Sequence, residues 1–318
     1  MLRNNRNREL TFKLFEKEKA LPRVSFCMLG FLAWTFTLIT LDYAFSGNLK
    51  DCLSHRNSRY FTQLSAKYFP ETTVLTATVF RWDFSRIRAH RYRYSSKSEV
   101  SQKGGLFGKE SSLDSFIAED GFVIIDSRGR GTAKVMLGSV KQTVRVGDET
   151  TENNLSEQVL FKHMPENGKI DTELNDPLNA SVYAFFIVPE TPLRVGESID
   201  MTVEMSFREV GVLHKKNVQI HLKLTKYVRI GTHLCARLDG DVSIPASEAI
   251  NAKGDKSNFS ARGTWVAFFD IEDRRLLSGA VAFLMCNVAE TKAPSNELSN
   301  TMHMVSSSDT FIQIESEE

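Results

Sequence analysis

The stretch RWDFSRIRAHRYRYSSK, residues 81–97, sets Arg81, Arg86, Arg88, Arg91, Arg93 and Lys97 beside His90, Tyr92 and Tyr94. Guanidinium forks match phosphate, sulfate or carboxylate oxygens, and interleaved tyrosine rings can stack on a planar or sugar-like partner. In an extended chain alternate side chains share a face, so Arg86 with Arg88 and Arg91 with Arg93 form two outward pairs. The patch is read as an anion- or partner-binding surface formed by Arg81, Arg86, Arg88, Arg91, Tyr92, Arg93, Tyr94 and Lys97, against the plainer reading of a solvated strand.

Other chemistry is thinner. The histidines fall at 55, 90, 163, 214, 221, 233 and 303 without an HExxH spacing. His221 and His233 fit neighbouring strands but lack a third ligand in the sequence. Glu204, Asp239, Asp241, Asp270, Glu272 and Asp273 are the acids a hydrolase would draw on. The DGD at 239–241 and DIED at 270–273 do not have the spacing of an EF-hand loop. No GxSxG, GxGxxG or Walker spacing is present. No catalytic residue, metal or cofactor is therefore expected.

Cys27, Cys52, Cys235 and Cys286 are too few and too scattered for a zinc module or a disulfide scaffold. A disulfide between Cys235 and Cys286, both in expected strands, is one candidate, and two buried thiols are the other. Asn154, Asn179 and Asn258 open N-x-S triplets, glycosylation acceptors if the domain faces a lumen or the outside.

These side chains need positioning. Val24 to Leu41 is free of charge and its apolar character resumes through Phe45, so 24–46 reads as a transmembrane helix. Seven Arg/Lys against three Glu precede it, which favours an N-terminus inside and a C-terminal domain lumenal, extracellular or periplasmic. A cleaved signal peptide and a buried core helix are the rivals. The expected layout is a basic tail at 1–23, the helix, a stem at 47–69, a β domain at 70–288 and an acidic flexible tail at 289–318.

Alternation carries the fold reading. Ile199, Met201, Val203, Met205 and Phe207 alternate with polar residues, as do Val218, Ile220, Leu222 and Leu224. That period of two puts one face on a core and one in water. Further strands are expected at 72–84, 121–126, 132–146, 232–238, 263–271 and 277–288, with brief helices at 112–119 and 153–164 and a loop at 95–112. Thr310 to Ile314 is strand-like enough to join a sheet edge. The fold class is mainly β, an antiparallel β-sandwich, jelly-roll or immunoglobulin-like, with one N-terminal transmembrane helix.

At 318 residues, 42% hydrophobic and a net charge of +1, the chain is neither a basic nucleic-acid wrapper nor a disordered acidic chain. The function expected is a single-pass, membrane-anchored structural or protein-interaction subunit of a membrane or envelope assembly. Its partners would be the lipid bilayer, other membrane or envelope proteins and another copy of itself. The alternatives are a membrane-tethered, glycan-acting hydrolase and a nucleic-acid-binding β protein. The last requires a basic groove joining 81–97 to Lys215, Lys216 and Lys223.

Overall fold

The structure is a computed structural model that describes residues 71–72, 76–85, 89–105, 111–127, 131–169, 185–209, 212–292 and 301–317. The expected membrane helix, the stem, Arg86, Arg88 and Asn179 lie outside them. Among the described residues no helix is long and apolar enough to cross a membrane.

The strands are β1 (Glu71–Thr72), β2 (Ala89–Gly105), β3 (Ser111–Ser127), β4 (Thr132–Leu137), β5 (Val140–Val146), β6 (Glu149–Leu155) and β7 (Gln158–Pro165). They continue with β8 (Ser198–Glu209), β9 (Val212–Ile230), β10 (His233–Ile250), β11 (Lys256–Asp270), β12 (Arg275–Lys292) and β13 (Thr301–Ser316). All thirteen join one antiparallel sheet in the order β1-β9-β10-β11-β12-β13-β2-β3-β4-β7. β8 pairs with β9, β5 with β3, and β6 with β5. The mainly antiparallel β class holds, but the two packed sheets of a sandwich are replaced by a single open sheet. Period-two patterning specifies which face of a strand is buried and leaves the number of sheets open.

Several local readings change. Residues 112–119 lie in β3, paired with β2 and β5, and 153–164 run through β6 and β7, paired with β5 and β4; cross-strand pairing overrides short helical spacing. The Ser- and Lys-rich run at 95–105 is the second half of β2. Its Ser98 hydroxyl meets the Thr310 hydroxyl at 2.9 Å, so small polar residues are satisfied inside the sheet. The acidic C-terminal segment is not a free tail. β12 reaches Lys292, and β13 lies between β12 and β2, away from either edge.

Where a strand is expected at 72–84, Glu71–Thr72 pairs with β9, and among the described residues beyond it Thr78 makes an isolated bridge to Leu193. Phe80, Trp82 and Phe84 instead turn their rings onto the sheet and are buried. Trp82 stands edge-on to Phe269 with ring centroids 5.7 Å apart, and its Nε1 donates to the Phe186 carbonyl at 2.8 Å. Two straps, 76–85 and 185–193, thus lie against the face that carries Tyr227, Phe269 and Ile314. On the opposite face Val228, Cys235, Val266, Phe268, Leu277 and Ala282 form a second buried cluster.

Glycines make room for rings on the strapped face. Gly240 faces Trp265 across β10–β11, and a Cβ at 240 would overlap the indole; Gly279 lies against the Phe185 ring. Gly240→Val is expected to cost about 1–3 kcal/mol, whereas Ser243→Ala on the exposed face costs less than ~0.5 kcal/mol. Equilibrium denaturation of the two variants checks the contrast.

Candidate functional site

The period of two divides the Arg/Tyr segment between the faces of β2. Arg91, Arg93 and Lys97 are exposed, while Tyr92 and Tyr94 are fully buried. Tyr92 Oη donates to the Leu276 carbonyl at 3.0 Å, and Tyr94 Oη donates to Glu119 Oε2 at 3.0 Å. Burial raises the Tyr92 phenol far above its ordinary range. Neither ring can stack on a partner of the arginines, which corrects the expected mixed Arg/Tyr surface. The cations remain as a row. The Arg91 guanidinium sits 3.3 Å from the centroid of the Phe122 ring and 3.2 Å from Glu317, and Arg93 lies 3.9 Å from Glu317. Arg81 is exposed on the first strap.

The basic groove required for nucleic acid is interrupted. Lys216 is buried, its ammonium 4.6 Å from the Phe259 ring centroid. Lys223 lies on β9, separated from β2 by β10, β11, β12 and β13. Beside Lys223, on the same face, the cross-strand row Asp200, His221, Asp241 and Thr264 runs from β8 to β11. With Gln219 and Arg262 these residues line an open groove of about 410 Å³, in which His221 Nδ1 is 2.6 Å from Asp200 Oδ1. Asp239 is engaged by Arg237, at 2.9 Å from Nη2, and by the Thr225 hydroxyl.

The tightest clustering of chemical groups is at the strand ends. His233 and Cys235 open β10, Asp270 closes β11, Asp273 lies in the turn 271–274, and Arg275 opens β12. The chain reverses within four residues, with Arg274 left-handed at φ 53°, and the Arg274 carbonyl accepts the Asp83 N–H at 3.1 Å. Asp270 is the organiser. One carboxylate oxygen accepts the backbone N–H groups of Glu272 and Asp273 at 2.9 and 3.1 Å, an Asx turn. The other lies 2.6 Å from His233 Nδ1, and Asp273 Oδ2 is 3.7 Å from the same nitrogen.

Arg275 links this cluster to the start of β2. Its Nε is 3.6 Å from Asp273 Oδ2, and its Nη1 donates to His90 Nε2 at 3.0 Å and to Ser316 Oγ at 3.3 Å. Burial, then the neighbouring Arg275 charge, lowers the His90 pKa to about 4. His90 is therefore a neutral acceptor at neutral pH.

Cys235 faces Asp270 across β10–β11. Burial first and the Asp270 carboxylate second push its thiol up to about 12, against the opposing Arg275 charge. It is a free, buried thiol, whereas Cys286 is disulfide-bonded. The candidate bond between these two is thus excluded, and the reason is distance. Cys286 pairs with Ser260 and Cys235 with Asp270, ten residues apart along β11. At ~3.3 Å per residue the separation is far beyond the ~7 Å Cα limit of a disulfide.

No protein family matches the sequence, and a search of curated proteins finds no relative. Likenesses among solved structures are loose. One is a structure of lipid–protein interactions in lipovitellin, with a TM-score of 0.37 and 8% identity, covering 72% of this chain and 25% of that one. The chain therefore spans a quarter of the lipovitellin chain it matches. The others are a DUF1329 family protein from Desulfovibrio piger, at 11% identity, and a putative outer membrane lipoprotein-sorting protein domain from Vibrio parahaemolyticus, at 10%. Both have a TM-score of 0.12 and cover 67% of this chain and 83% of theirs. These superpositions are too loose to carry an argument.

Sequence spacing offers Asp270 and Asp273 as acids for hydrolysis or oxygen ligation without joining them to His233, which lacks a third ligand in the sequence. The usable signal is a histidine at the start of one expected strand and two acids at the end of another and in the turn after it.

Because His90 titrates near 4 in the folded chain and near 6.5 when unfolded, the unfolded state binds the extra proton between those values. Stability should therefore fall as pH drops from about 6.5 to about 4. His90→Gln should flatten that part of the profile. Urea midpoints across the interval check the difference.

Proposed function

We propose that the protein is a single-pass, membrane-anchored β protein, with its sheet domain lumenal, extracellular or periplasmic, serving as a structural or protein-interaction subunit of a membrane or envelope assembly. The observation that carries this reading is the row Arg91, Arg93 and Lys97. The cations are exposed along β2, a strand held by β13 on one side and β3 on the other. A cation row whose backbone spacing is fixed by pairing on both edges suits an acidic partner surface or anionic headgroups, because little backbone ordering has to be gained on binding. The uncharged run at 24–41, with apolar character resuming after Asp42 through Phe45, supports the anchor. The disulfide-bonded Cys286 supports an oxidising compartment.

Asn154 is exposed on β6 and suits a glycan. Asn258 suits one poorly, since it lies in β11 between β10 and β12 and its acceptor Ser260 is buried.

Protease treatment of sealed membranes, with tags at both ends of the full chain, tests the topology. A protected full-length domain and an accessible N-terminal tag are expected; an accessible domain overturns the reading. In a glycosylating host, Asn154→Gln should remove a mass shift that Asn258→Gln leaves. On native gels the detergent-extracted protein should run above monomer size. Combined Arg91→Ala, Arg93→Ala and Lys97→Ala should bring it down, and a wild-type monomer would sink the assembly role.

A further inference from the structure

The His233, Asp270 and Asp273 cluster presents three metal-ligand side chains from three places in the chain. They come from the first residue of β10, the last of β11 and the turn beyond it. One ligand atom from each lies within 4.8 Å of the other two. We propose that these residues bind a divalent transition-metal ion, with Zn²⁺ the ion best matched to one imidazole and two carboxylates.

The spacing suits an ion. Bonds of ~2.0–2.1 Å in tetrahedral geometry put neighbouring ligand atoms ~3.3 Å apart. His233 Nδ1 lies 2.6 Å from Asp270 Oδ2 and 3.7 Å from Asp273 Oδ2, on either side of that value. Rotamer shifts of the exposed Asp273 and of the His233 ring, on the order of an ångström, would bring the three atoms to that spacing.

The supporting contacts suit it as well. The Asp270 side chain is 1% exposed, and two backbone N–H groups hold its Oδ1 so that Oδ2 is aimed at the imidazole. Such hydrogen bonds fix the orientation of a ligating carboxylate. Asp273, with a side chain 47% exposed, gives an ion a path from solvent. Arg275 offsets part of the negative charge. Its Nε contact to Asp273, at 3.6 Å, is longer than a hydrogen bond, and its Nη1 is directed to His90 and Ser316. Three protein ligands leave a position for water. Binding uses the His233 Nδ1 lone pair, so a neutral ring binds as the Nε2–H tautomer, its single proton moving from Nδ1 to Nε2 by way of solvent.

The competing description is a purely structural His–Asp pair with a nearby arginine. The full-length chain, extracted in detergent and stripped with a chelator, is titrated by calorimetry with Zn²⁺ alone and, separately, with Mn²⁺ alone. Saturable uptake of one equivalent is expected, tighter for Zn²⁺. Asp273→Asn and His233→Gln should each weaken it by about tenfold or more, while His221→Gln in the distant groove leaves it unchanged. Circular dichroism confirms folding. Should His233→Gln fail to fold, Asp273→Asn decides the matter, since its side chain is half exposed and holds no strand. Absence of saturable one-to-one uptake of either ion overturns the proposal, as does uptake that Asp273→Asn leaves intact.

Discussion

The backbone hydrogen bonds of β13 to both of its neighbours hold the sheet together. Along one edge Ser278 to Lys292 of β12 pair with Glu315 to Thr301, and along the other Tyr92 to Gly105 of β2 pair with Ser316 to His303. Without β13, the strands β8 to β12 and the strands β2 to β7 would be separate sheets, each with a long open edge. The insertion also explains an unusual composition. Ser306, Ser308 and Thr310 of β13 are buried, as are Ser96 and Ser98 of β2. Hydroxyls tolerate that burial because they bond to one another, as Thr310 does with both Ser98 and Ser308 at 2.9 Å.

On that frame, small residues and rings set how closely the straps approach. Gly240 under Trp265 and Gly279 under Phe185 let aromatic rings lie on backbone. Phe80, Trp82, Phe84, Phe185 and Phe186 then form one apolar layer with Phe269. The layer reaches the turn 271–274 through the bond from Asp83 to Arg274. The first strap and the His233, Asp270 and Asp273 cluster therefore meet at one turn, so that its geometry is fixed from both sides.

Alternation was the most readable feature of the sequence, and it failed where polar residues are buried. The β8–β9 hairpin follows directly from its apolar sets, which meet in register as Met201 with Ile220 and Val203 with Val218. β13 and the second half of β2 were obscured because serine at core positions looks like serine in a loop. The Arg/Tyr segment held its own correction: a strand that exposes Arg91 and Arg93 must bury Tyr92 and Tyr94. The strand-end cluster was legible only in pieces. His233 meets Asp270 only through the register of the long β10–β11 hairpin, and Arg275 reaches His90 only because β13 sets β12 beside β2, and spacing cannot supply either.

The central claim is that the C-terminal segment is an internal strand of a single sheet. Amide hydrogen exchange of the folded full-length chain tests it most directly, read at Ser306 to Ile314. If β13 is hydrogen-bonded on both edges, those amides should exchange as slowly as the amides of Trp265 to Phe269 in β11. Exchange at the rate of an unstructured chain across Ser306 to Ile314, with β11 still protected, would contradict it.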